Sequence, residues 1–152
     1  MTREQPFPSE IRHALLEEHA RIRRFLDELE ELAQRQASGE ELGRRIPALA
    51  GQLARVVEAH NGAEEQVLEP LLRTVDAWGP LRIDDMLVEH IREHAGIVTA
   101  LELIARAGVD AEVARTIPGL AGNMRAHMAN EERTFLAREL LRDDVITVQS
   151  SS

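Results

Sequence analysis

Apolar residues recur every three to four positions in four blocks of the chain, and period-2 alternation is nowhere sustained. The first block, Ile11, Leu15, His19, Ile22, Leu26 and Leu29, predicts a helix from Ser9 to about Gln36, with Ser9 as N-cap after Pro8. Ser38-Gly39-Glu40-Glu41 has capping-box spacing and predicts the start of the next helical segment. Its apolar stripe reads Leu49, Leu53, Val56, His60, Glu64, Val67, Leu71, and Pro47 either kinks this helix or opens its main body. Asp76-Ala77-Trp78-Gly79-Pro80 reads as a connection. The third helix begins near Asp84, carries Leu87, His90, His94, Ile97, Leu101 and Ile104, and stops at Gly108. Asp110 caps the fourth, which shows Leu120, Met124, His127, Glu131 and Phe135 with an early proline, Pro118. Trp78 and Phe135 read as packing residues. These blocks predict an all-α, up-and-down antiparallel four-helix bundle over residues 9–143, with an N-terminal extension (1–8) and a flexible tail (144–152).

The two halves repeat. Glu18-His19-Ala20-Arg21-Ile22 returns as Glu93-His94-Ala95-Gly96-Ile97. Ala59-His60 with Glu64-Glu65 returns as Ala126-His127 with Glu131-Glu132, and Ile46-Pro47 returns as Ile117-Pro118. A helical hairpin present twice predicts a bundle with a pseudo-twofold axis, on which equivalent groups from both halves meet.

Composition narrows the chemistry. At 152 residues and 43% hydrophobic, the chain suits one globular domain. No apolar run approaches the roughly 18 residues of a membrane span, and Met1 to Glu10 lacks the apolar core of a secretory signal. A net charge of −9 argues against nucleic acid. All 18 basic residues are arginine, which removes a phosphate-loop or Schiff-base lysine, and tyrosine is missing too. Cysteine is absent, so disulfides and thiolate ligands are excluded; a cytoplasmic location is the expectation.

Five of the six histidines lie on the apolar stripes. Residues at i and i+4 share a helix face, and His60 with Glu64, His90 with His94, and His127 with Glu131 all have that spacing. With His19, five imidazoles and two carboxylates aim inward. Buried without counter-charge, such a cluster would be costly, because buried carboxylates need partners. Two divalent cations reverse that balance, since imidazole and carboxylate are good ligands for iron, manganese or zinc. Two carboxylates from opposite helices can bridge two metals, and the nitrogen-rich set points to two iron ions, with zinc or manganese as the alternatives. Glu65 and Glu132 read as solvated helix-face glutamates rather than partners of the imidazoles. His13 reads as a surface residue. Glu10-x-x-His13 matches half of a ferritin-type motif whose second copy is missing.

His19, His60-x-x-x-Glu64, His90-x-x-x-His94 and His127-x-x-x-Glu131 together resemble the hemerythrin pattern in its HHE cation-binding branch, over about residues 9–143. The resemblance implies that His90, His94 and His127 terminate one iron, that His19 and His60 hold the other, and that Glu64 and Glu131 bridge. It also implies an open position on one iron for dioxygen, nitric oxide or another small ligand, or a role in sensing iron or redox status. The oxygen-carrying members place the last carboxylate, an aspartate, five residues after the histidine; here Glu131 stands at the fourth position and Glu132 at the fifth. Helical rotation favours Glu131. An enzyme acting on peroxide and a bundle merely tied together by metal are the alternative readings.

Overall fold

The computed structural model describes residues 6–75, 79–107 and 111–143. The helices are α1 (Pro8–Ala37), α2 (Arg45–Ala63), α3 (Glu69–Val75), α4 (Pro80–Arg106) and α5 (Ala111–Arg133). A π turn, Glu64–Leu68, joins α2 to α3 as one continuous rod. Among the described residues there is no strand, and the rods form the expected up-and-down four-helix bundle. Helix α1 packs on α2 and α5, and α4 packs on the α2–α3 rod and on α5. No helix of the described residues is long and apolar enough to cross a membrane.

The helix starts correct the sequence in three places. Ser9 is not the N-cap of α1: the helix opens at Pro8, and the Glu10 carboxylate accepts from the Phe7 N–H at 2.8 Å. The Ser9 N–H and hydroxyl both donate instead to Asp143, at 3.0 and 2.8 Å, so a carboxylate from the far end of the chain covers this helix N-terminus. Ser38-Gly39-Glu40-Glu41 opens no helix. The Ser38 hydroxyl donates back to the Gln34 carbonyl and Gly39 takes φ +96°, which ends α1, while Glu40 pairs with Arg35. Helix α2 begins only at Arg45, which puts Pro47 in its first turn, where the missing N–H costs nothing. Helix α4 starts at Pro80 rather than near Asp84, with Gly79 as N-cap. The connection at Asp76-Ala77-Trp78, the packing role of Trp78, the stop at Gly108, the cap at Asp110, the tail 144–152 and residues 1–5 of the extension lie outside the described residues.

Stripes shift by a residue where the backbone does. Val57 is buried in place of half-buried Val56, and Leu68 and Leu72 are buried where Val67 and Leu71 were expected, Val67 being 41% exposed. The π turn accounts for the shift at Leu68 and Leu72: the Glu69 N–H reaches back five residues to the Glu64 carbonyl, so the inward face there advances in steps of four. Pro70, which follows at once, has no N–H for the regular ladder and crowds the carbonyl four residues before it. On α5 the buried face runs Ala114, Ile117, Ala121, Met124, Met128, leaving Leu120 half-buried.

Two apolar clusters fill the interior. One holds Ile22, Leu26, Leu29, Leu53, Leu101 and Ile117; the other holds Leu15, Leu68, Leu72, Leu87, Phe135 and Leu136. His19 falls between them on α1, with Leu15 on one side and Ile22 on the other, and a polar cluster interrupts the core at this level.

Candidate metal centre

Each rod contributes. His19 comes from α1, His60 from α2 with Glu64 on the π turn, His90 and His94 from α4, and His127 and Glu131 from α5. All seven predicted residues converge, and side-chain exposure runs from 0% at His19 and Glu64 to 10% at His127. His13, by contrast, is 76% exposed and pairs with Glu17.

The two carboxylates divide their oxygens between two groups of imidazoles. Glu64 Oε1 lies 2.5 Å from His60 Nε2 and 3.5 Å from His19 Nε2, while its Oε2 lies 3.2 and 3.1 Å from His90 and His94 Nε2. Glu131 does the same in mirror fashion. Its Oε2 faces His19 Nε2 at 3.5 Å; its Oε1 faces His90 at 3.4 Å and His94 at 3.8 Å and touches His127 Nε2. One ligand-bearing group is thus His19, His60, Glu64 and Glu131, and the other is His90, His94, His127 and Glu131, with the donor atoms of each group within 4.8 Å of one another. Glu132, the competing carboxylate, points elsewhere.

The outer nitrogens explain why the inner ones are bare. Every Nδ1 of the five imidazoles meets a glutamate: His19 meets Glu132 at 2.8 Å, His60 Glu18 at 2.7 Å, His90 Glu69 at 3.3 Å, His94 Glu65 at 3.3 Å and His127 Glu93 at 2.6 Å. An ionised carboxylate only accepts, so each Nδ1 carries a proton and each Nε2 faces inward as the nitrogen left to hold a proton or a metal ion. Arg23 in turn grips Glu132 with both NH groups, at 2.8 and 2.9 Å. Glu64 Oε1 and Oε2, Glu131 Oε1 and Oε2, and the Nε2 atoms of His90, His94 and His127 are buried without a hydrogen bond. Acceptors packed against acceptors at this distance repel unless protons or cations stand between them.

Electrostatics says the same. Burial alone would push the His19, His90 and His94 pKa values down, yet the facing Glu131 and Glu64 carboxylates outweigh it, to about 10, 10 and 9. His60 is likewise raised, burial being overcome by Glu64 and Glu18. Burial works against ionised Glu64 and Glu131, but the ring of imidazoles holds both below the usual carboxylate range. Without metal, the cluster holds protons where it can hold cations.

Glu65 and Glu132 therefore correct the sequence reading: both touch imidazoles instead of standing in solvent. Glu18, Glu69 and Glu93 went unrecognised. The signal was in the repeat, since Glu18 and Glu93 precede His19 and His94, and Glu65 and Glu132 follow Glu64 and Glu131. Phe135 does pack, its ring 4.7 Å from that of His90. A chamber of about 20 Å³ adjoins the cluster, lined by Ile22, Val57, Ile97, Met124 and Met128 beside His60 and His127, and admits little more than one water-sized guest.

No curated protein and no solved structure matches the chain. A family model does: the hemerythrin HHE cation binding domain aligns with residues 10–138. With that match over most of its length and two histidine–glutamate groups able to take a metal ion, the chain belongs to the hemerythrin HHE cation-binding domain family.

Proposed function

We propose that the protein holds two iron ions and binds dioxygen or another small ligand such as nitric oxide. His19 and His60 would hold one ion, His90, His94 and His127 the other, and Glu64 and Glu131 would span both. The observation that carries this reading is the split of each carboxylate, one oxygen toward each imidazole group. Five ring nitrogens and four carboxylate oxygens also exceed the ligand positions of two tetrahedral zinc ions, and an imidazole-rich set suits iron better than manganese.

Iron would supply reversible electron exchange and affinity for a small diatomic ligand. The chain's own residues do the rest. Glu18, Glu65, Glu69, Glu93 and Glu132 keep the Nδ1 protons in place and aim the Nε2 lone pairs inward. Leucine, isoleucine and methionine side chains pack above and below the centre, and a cavity of about 280 Å³ lined by His90, His127 and Glu131 gives a small ligand a way in.

The experiment is metal analysis of the purified protein followed by anaerobic oxygen titration of the reduced form. The reading expects two irons per chain and about one oxygen bound per iron pair, released on deoxygenation. Zinc without iron in protein from its own host would overturn the assignment of the metal. Irreversible oxidation with rapid peroxide turnover would replace binding by catalysis.

A further inference from the structure

The five imidazoles are not equally hidden. His127 is 10% exposed where His19 is 0%, and the cavity of about 280 Å³ beside it has a wall that runs from exposed Asp85 and Glu89 to buried His90 and Glu131. At its inner end His90 Nε2, His127 Nε2 and both Glu131 oxygens are buried without a hydrogen bond. Its outer end is acidic. Asp85, Glu89 and Glu93 follow one another at four-residue steps on α4, so their like charges share one helix face and repel. Arg92 meets Glu89 at 3.2 Å, but in a chain with 18 arginines none lines the cavity. Glu93 is the innermost of the three: it accepts from the His127 Nδ1 at 2.6 Å and stays 47% exposed. The His19 side is different, because both NH groups of Arg23 occupy Glu132 there and set a cation outside the imidazole.

We propose that this cavity is the port by which divalent cations load the centre, with Asp85 and Glu89 as a capture site at its mouth and Glu93 as the last carboxylate before His127. This rests on the metal-binding reading above and adds the route to it. Exposed carboxylates hold a hydrated divalent ion weakly and raise its concentration at the opening. Buried acceptors with no partner then take it inward, exchanging its water for Glu131 oxygen and imidazole nitrogen. Charges at the mouth govern the rate of approach, while the final affinity belongs to the seven inward residues. The repulsion along α4 is the cost of keeping three acids in one row.

The test mixes the metal-free whole chain with cobalt(II) in a stopped-flow instrument and follows the visible absorption of the bound ion. Ionic strength is varied upward from about 10 mM, where screening is weak. Wild type should load at a rate that falls steeply with salt. Asp85→Asn/Glu89→Gln should load about tenfold more slowly at low salt and lose most of that salt dependence, with the number of ions held at saturation unchanged. Glu28→Gln/Glu31→Gln removes the same charge from an exposed stretch of α1 and should load like wild type. Asp85→Arg/Glu89→Arg should be slower than the neutral pair. Wild type that takes up no cobalt would overturn the metal-binding reading and this proposal together. Cobalt uptake by Asp85→Asn/Glu89→Gln at the wild-type rate, or an equal slowing in the α1 variant, would overturn this proposal alone.

Discussion

Metal should enter this protein by displacing protons, and the structure says how many. In the metal-free chain His19, His90 and His94 titrate near 10, 10 and 9, so all three are imidazolium at pH 7. Glu64 and Glu131, held low, are already ionised and contribute nothing. A metal-bound imidazole must give up its Nε2 proton, so saturation at pH 7 should release about three protons per chain. Near pH 10 the release should fall to about one. The signs follow from the raised values. The metal-free fold gains stability from these histidines below their ordinary value of 6.5 and loses it as pH climbs through 9 to 10. Its melting temperature should therefore fall across that window, while metal affinity strengthens and the loaded protein holds its own. Calorimetric titration in buffers of different ionisation enthalpy counts the protons directly. Release of fewer than about one proton at pH 7, or a metal-free melting temperature that rises toward pH 10, would refute the picture of a cluster held together by protons.

Two further perturbations separate the centre from its frame. Glu132→Gln leaves the His19 Nδ1 without a charged partner and breaks the grip of Arg23; metal affinity, measured by competition with a chromophoric chelator, should fall about tenfold or more. An unchanged affinity would make the outer glutamates mere surface charge. Leu53→Ala empties a fully buried position in the apolar cluster away from Leu15 and should cost about 3 kcal/mol in urea unfolding, with metal stoichiometry unaltered.

The bundle and the seven inward residues were legible in the sequence because both depend on periodicity. Histidine and glutamate at i and i+4 on an apolar stripe face inward wherever the stripe faces inward. Capping was less legible, because it depends on partners the local sequence does not contain: Ser9 is itself capped, from Asp143. The π turn was hidden for a different reason. One additional residue per turn leaves hydrophobic spacing nearly intact, and only Pro70 marked it. Outer glutamates were hardest. In a chain with 27 acidic residues, one that meets a neighbouring helix's imidazole looks the same as one in water; recurrence in both halves sets Glu18, Glu65, Glu93 and Glu132 apart, and Glu69, which has no counterpart, carries no such signal.

That recurrence makes the molecule its own control. Glu18 meets His60 at 2.7 Å and Glu93 meets His127 at 2.6 Å, and the two carboxylates are 40% and 47% exposed. The same substitution can be made at either one, in the same protein, under the same conditions, with the change in overall charge identical. Whatever difference survives between the two variants belongs to the unlike halves of the centre, so a measurement that otherwise needs a second protein for reference needs only this chain, read against itself.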